Sequence, residues 1–423
     1  MSQTYRLWQN AWRDDPLASV TLELPDDWTV TEYRMPADDH RPLTGEELAA
    51  RIRNPVGMPS IRELAASGRE AVVVFDDLSR GTPAGMLVRL VIEELLAGGL
   101  GREHIRLLCA LGNHAPLTRA DFVQKLGEEL VEQFPIYNHN PYENLVSVGT
   151  DRFGNEVLVN REFMRCDVRI GVGSVSPHPM NGFGGGGKLI FPGLAGIRTT
   201  YANHSRREFR PFSPEPCGLR RDIEAMTGMV MPFFKIDAVL NSRLEIVELR
   251  AGEHRQEHRQ AVALSQALNG MRRAEGARDV VFVNANAKYN EALIAIRVAA
   301  MDLKPGGDIV LINHCPAGQV VHYLYSAFGS DYGGGCWQPY DKRPRSEIGR
   351  IIYYTPYPDV ASRMGLSEPD KVVFAKTWDQ VMSLLGTHGP GVRASVISDG
   401  TISYFQSSRR RSHKPMISNK RSD

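Results

Sequence analysis

Three features of this sequence predict an α/β protein of two α/β domains with a ligand-binding cleft between them. The chain has 423 residues, more than a single hydrophobic core ordinarily serves. Short apolar runs rich in β-branched residues alternate with stretches of helical periodicity, the pattern of parallel strands covered by helices. The same alternation begins afresh near residue 270, after a charged segment. Residues 1–270 are therefore read as an N-terminal domain carrying the site, and 271–423 as a C-terminal domain that closes over it.

The first βα unit opens at Ala71-Val72-Val73-Val74-Phe75, a run suited to a strand buried on both faces. Met86, Leu87, Leu90, Val91, Leu95 and Leu96 then recur at helical spacing until Gly98-Gly99 stops them. A second strand over 105–111 ends in Gly112-Asn113-His114 and leads into a helical stretch over 118–134. A third strand over 168–172 precedes a long glycine-rich loop. The segment 250–271, with Glu253, His254, Arg255, Glu257, His258 and Arg259, reads as a charged helix joining the domains. His254 and His258 are read as surface residues, since no third metal ligand accompanies them. The second α/β pattern runs from Val280-Val281-Phe282-Val283 through a helix to Ala300 and a strand over 308–313. Residues 329–344 read as a mobile loop at the mouth of a site, and the basic tail from Arg409 as a disordered end.

Composition narrows the function classes. Hydrophobic residues at 42% and charged residues at 23% describe a globular chain with apolar material for real cores. A net charge of +1 provides no field to gather nucleic acid or an anionic membrane, so a small-molecule partner is expected. Five widely spaced cysteines without a CxxC pair suit a reducing compartment. Residues 1–16 lack the apolar stretch of a signal peptide and no run spans a bilayer, so the expected location is cytoplasmic, with no membrane partner.

Chemistry concentrates in loops that follow strands. The block Pro177-His178-Pro179-Met180-Asn181-Gly182-Phe183-Gly184-Gly185-Gly186-Gly187-Lys188-Leu189-Ile190-Phe191-Pro192-Gly193 contains the GxxxxGK part of a phosphate-binding P-loop. Leu189 occupies the place where a P-loop needs a hydroxyl for Mg²⁺. Four consecutive glycines are costly to order, which points to a ligand, such as an anionic nucleotide, that approaches the backbone closely. The plain alternative is a flexible loop with an exposed lysine. Asp76-Asp77-Leu78-Ser79-Arg80-Gly81-Thr82-Pro83 brings carboxylates, hydroxyls and a planar guanidinium to another strand end, with an Asx turn and helix cap as the alternative for Asp76 and Ser79. His114 and His204, in Tyr201-Ala202-Asn203-His204, complete the set. Each histidine alone is an ordinary structural residue, but three in such loops call for a shared role.

These motifs, in this order and spacing, resemble the nickel-dependent lactate racemase family. The likeness is strong over residues 70–205 and general elsewhere. It implies a nickel-pincer nucleotide, pyridinium-3,5-bisthiocarboxylic acid mononucleotide, tethered to Lys188, with nickel held through carbon and two sulfurs. By the same resemblance His204 supplies the remaining nickel ligand, and His114 and His178 are the acid/base pair. Arg80 lies at the substrate, while Asp77, Thr82, Gly184, Gly185, Gly186 and Gly187 lie at the cofactor. The implied activity is racemisation or epimerisation of a small 2-hydroxy acid, with cofactor-making enzymes as further partners.

Removing the Cα proton of a 2-hydroxy acid is difficult, because the carboxylate beside it is a poor electron sink. Hydride removal avoids the carbanion and gives a planar 2-keto acid that can be reduced on either face, which calls for two bases. The family's lactate-specific members carry Tyr-Gln-x-x-Lys at the start of the second domain, where Leu293-Ile294-Ala295-Ile296-Arg297 stands here. Arg297 is thus the expected substrate residue, and a different or larger 2-hydroxy acid is implied. Gly184 also stands where the family has a serine. The rival readings are a nucleotide-binding protein with a degenerate P-loop and a non-catalytic member that only binds the cofactor.

Overall fold

The computed structural model describes residues 2–9, 18–206, 208–324, 347–364, 366 and 369–406. The expectations for the loop 329–344 and the tail from Arg409 fall outside these residues. Two six-stranded sheets organise the fold. From edge to edge the first runs Ile246–Glu253, Phe234–Leu240, Val168–Ser174, Ala71–Asp76, Ile105–Ala110, Ile136–Asn138. All its pairings are parallel except that between the first two.

Every residue of Ala71–Asp76 is buried, as its unbroken apolar run requires of a central strand. It pairs on one side with Ile105–Ala110 and on the other with Val168–Ser174, so the chain reverses its direction of sheet growth at this strand. The loops leaving the carboxyl ends of these three strands carry the motifs singled out above, and such a switch point is where open α/β sheets hold ligands. The crossover helix Ala84–Ala97 buries Leu87, Val88, Val91 and Leu95 at helical spacing and is capped by Gly98. The stretch 118–134 forms two helices, Arg119–Leu126 and Glu128–Gln133, because Gly127 adopts a φ of 89° between them.

The second sheet is wholly parallel, in the order Val372–Ala375, Ile348–Tyr354, Leu303–Ile312, Arg278–Asn284, Arg393–Ile397, Thr29–Tyr33. Its last strand comes from the opposite end of the chain, so the division at residue 270 needs correction. The antiparallel hairpin Ser2–Trp8 with Ser19–Pro25 buries Leu7, Val20, Leu22 and Leu24 in one core with Phe282, Val310, Ile352 and Val396. A hairpin with one apolar face has to cover it, and the surface it covers is the second sheet. The chain thus starts in the second unit, builds the first, and returns.

The helix His254–Asn269 is not the surface connector expected. His254, Glu257, His258, Ala261, Val262 and Ser265 are buried along one face, against the strands Phe234–Leu240 and Ile246–Glu253 and the turn Gly186–Leu189. No helix among the described residues is long and apolar enough to cross a membrane.

Candidate active site

A cavity of about 140 Å³ opens at the switch point. Its wall takes Asp77 and Arg80 from the first loop, His114 from the second, and His178 and Lys188 from the glycine block. His204 joins from the helix Ile197–Ser205, and Lys288, Glu291 and His322 from the second unit.

The first loop is an Asx turn. Asp77 accepts hydrogen bonds from the Ser79 amide at 3.0 Å and from the Ser79 hydroxyl. Its other oxygen meets His114 Nδ1 at 2.5 Å. Burial opposes ionisation of Asp77, but the His114 ring and then the Arg80 guanidinium outweigh it and hold the carboxyl below the usual carboxylate range. Arg80 Nη1 donates to Glu291 at 2.7 Å, to the Ser79 hydroxyl at 2.8 Å and to the Ser79 carbonyl at 3.0 Å. Asp76 pairs with buried Lys125 at 2.7 Å and accepts from the Thr82 hydroxyl at 2.6 Å. Thr82, also bonded to Ser174, therefore braces Asp76 from behind and is absent from the wall.

In the glycine block, Pro177–His178 pairs with Gly182–Phe183, and the turn between them folds onto the His178 ring. Nδ1 accepts from the amides of Met180 at 3.1 Å and Asn181 at 3.4 Å, which places the neutral ring's proton on Nε2. That nitrogen lies 2.7 Å from Lys188 Nζ, so the lysine accepts as a free amine. Burial, and then the Arg80 charge, pushes the Lys188 pKa well below the ordinary lysine value, in agreement with this pattern. A neutral amine is the nucleophilic form of lysine.

Gly185 has a φ of 75°, and a Cβ there would come within 2.5 Å of Asp237 Oδ2. The same oxygen accepts from the Gly186 amide at 2.6 Å. Gly184 and Gly185 reach the wall, whereas Gly186 and Gly187 pack behind it on Asp237 and Thr227. The P-loop reading does not survive this arrangement: Asp237 occupies an amide that a phosphate would need, and only the short turn Gly186–Leu189 follows, not a long helix.

His204 Nδ1 donates to the Thr200 carbonyl at 3.1 Å, making Nε2 the nitrogen with the lone pair. Burial pulls its pKa down to about 4, which keeps the ring in the neutral form a metal binds. His258, read from the sequence as exposed, is buried, bonds the Gly184 carbonyl at 2.8 Å and contacts Arg220 behind the glycine block.

Arg297 is not brought to this site. It lies on the helix Leu293–Ala299 and lines a separate open cleft with Pro179, Phe212 and Tyr404. From the turn before this helix, Lys288 and Glu291 enter the cavity in its place. His322 packs edge-on against His114 with ring centroids 5.3 Å apart. None of these three carries a motif, and His322 in Val320-Val321-His322-Tyr323 gives no sequence signal at all.

Residues 17–211 match the family model described as the lactate racemase N-terminal domain. A lactate racemase from Thermoanaerobacterium thermosaccharolyticum is 26% identical over 250 residues, covering 57% of this chain and 58% of that protein. One from Lactiplantibacillus plantarum is 30% identical over 169 residues, covering 39% of this chain and 40% of that protein. The aligned parts therefore span less than two thirds of either racemase. In fold, the chain is similar to the lactate racemase apoprotein from T. thermosaccharolyticum, with a TM-score of 0.72 and 18% identity over 96% of this chain and 100% of that one. A crystallised protein from Thermotoga maritima gives a TM-score of 0.64 at 16% identity, covering 86% of this chain and 99% of that one.

Proposed function

We propose that this chain, whose residues 17–211 match the lactate racemase N-terminal domain, is a racemase or epimerase of 2-hydroxy acids working with a nickel-pincer nucleotide tethered to Lys188. The observation that supports this reading is the meeting of His114, His178, His204 and Lys188, from three separate segments, around one cavity. The donor set suits the group. Lys188 offers a half-buried neutral amine for the tether, and His204 offers one imidazole nitrogen to a metal whose other ligands belong to a bound organic group. Gly184 and Gly185 leave room for an anionic ligand to approach the backbone.

When bound, this group supplies reversible hydride acceptance, and the substrate becomes a planar 2-keto acid that can be reduced on either face. The chain's own residues move the hydroxyl proton. Asp77 holds the proton of His114 on Nδ1, so Nε2 is the basic nitrogen. His178 presents Nε2–H and takes the second acid/base role once the turn 177–181 releases Nδ1. Arg80, fixed by Ser79 and Glu291, offsets the charge that develops on the reacting oxygen. Location in the cytoplasm and dependence on cofactor-making enzymes accompany the reading.

Production of the chain alongside the cofactor-making enzymes tests it by intact mass and by loss of optical purity across a panel of 2-hydroxy acids. The expected result is an added mass that Lys188→Ala abolishes, together with racemisation or epimerisation of at least one acid. His204→Ala should keep the added mass and lose nickel. An unmodified chain under those conditions would remove the tether from the account.

A further inference from the structure

The charges around the cavity pair off with one exception. His114 meets Asp77 at 2.5 Å, Arg80 meets Glu291 at 2.7 Å, Lys235 meets Asp237 at 2.6 Å, and Lys125, behind the wall, meets Asp76 at 2.7 Å. Lys188 faces His178 and, on the reading above, carries the cofactor. Lys288 is left over. The residue is 4% exposed and lines the cavity, and its ammonium makes no hydrogen bond or ion pair with any described residue.

The backbone holds it there deliberately. Lys288 N donates to the Thr401 hydroxyl at 3.0 Å, Ala287 N to Asp399 at 2.7 Å, and Glu291 N to the Lys288 carbonyl at 2.9 Å. This turn carries Lys288 and Glu291 together to the wall that Arg80 occupies. A buried ammonium with no carboxylate within hydrogen-bonding distance is unfavourable, and it is retained where a ligand brings a direct partner.

We propose that Lys288 takes the substrate carboxylate and restricts the site to 2-hydroxy acids with a single carboxylate. The proposal rests on the reading of the cavity as a 2-hydroxy acid site. One uncommitted cation neutralises one carboxylate. A second carboxylate would share the cavity with Glu291 and Asp77, whose hydrogen-bond partners Arg80 and His114 are already engaged. The charged groups that act on Lys288 are Arg80, Glu291 and Asp399. Burial, and then Arg80, brings the pKa of Lys288 down to about 8. Carboxylate binding should therefore weaken as pH rises past that value, when the ammonium is lost.

The test is calorimetric titration of the full chain with glycolate and with tartronate, which differ by one carboxylate. Wild type should bind glycolate, with tartronate at least tenfold weaker and glycolate affinity falling above pH 8. Lys288→Met should weaken glycolate at least tenfold, remove the alkaline fall and raise Tm, because it deletes an unpaired buried charge. Lys288→Arg should restore most of the affinity, and Arg297→Met should match wild type. Glycolate binding that is equally tight in Lys288→Met overturns the proposal and leaves the functional reading standing. Tighter binding of tartronate overturns the restriction to one carboxylate. If wild type binds neither acid, the reading of the cavity falls, and the proposal falls with it.

Discussion

His114 and His178 begin from opposite protonation patterns, and the neighbours that set them are local. Asp77 accepts from His114 Nδ1, while two backbone amides donate to His178 Nδ1. Burial also keeps the His178 pKa well below its usual value. If each ring serves one enantiomer, His114→Ala and His178→Ala should each lower racemisation in both directions, by about 10²–10⁴-fold for a lost acid/base group. One half-reaction should survive in each variant, from opposite enantiomers, seen as reduced cofactor and keto acid in a single turnover. Equal loss of both half-reactions in both variants, with cofactor bound, would withdraw the two-base scheme. These residues were legible because they sit in dense motifs. Lys288, Glu291 and His322 were not, since only the folded chain shows that the turn before the helix Leu293–Ala299 reaches the wall that Arg297 misses.

The glycine block and the helix His254–Asn269 form one packed element, and neither reads correctly alone. The helix shows helical spacing at 254, 257, 258, 261, 262 and 265, but its first three buried positions are polar. Hydrophobic periodicity therefore undercounts it, and the polar face is explained only by the Gly184 carbonyl and Arg220 that His258 meets. The strand Ala71–Asp76 and the crossover helix, by contrast, were legible because their buried positions are apolar apart from Asp76 and Glu94. Gly185 tests the coupling. Gly185→Ala imposes a positive φ on an alanine, costing about 1–2 kcal/mol, and drives its Cβ toward the buried Asp237 carboxylate. The expected result is a loss of roughly 2 kcal/mol or more and a fall in Tm of roughly 5 °C, together with loss of covalent cofactor loading. Calorimetry and intact mass check the two effects, and an unchanged Tm would mean that the loop is not held as described.

At the scale of the whole molecule, the sequence revealed two α/β units but not which unit owns the first strands. Alternating apolar residues in Ser19–Pro25 signal a half-buried strand, yet nothing local says which sheet covers it. Removing residues 1–33 should therefore make the N-terminal part, ending at 270, more soluble, while it destabilises the full chain by stripping the edge strand and hairpin from the second sheet. Light scattering of the two pieces and the full-chain Tm check this, and a full chain indifferent to the deletion would contradict it. The cavity, at about 140 Å³, is smaller than the roughly 300–1,000 Å³ usual for ligand pockets, so on the proposed function a nucleotide would enter only if the Lys288 and Glu291 wall parted from Arg80. The measurement that reaches the central claim most directly follows a single hydrogen. The cofactor-loaded chain is given one enantiomer of a 2-hydroxy acid deuterated at C2 in ordinary water, and the product is resolved by chirality and read by NMR. Hydride transfer predicts the opposite configuration at C2 with the deuterium retained there. Exchange of that deuterium for solvent hydrogen, or unchanged optical purity across the panel of acids, would contradict the account.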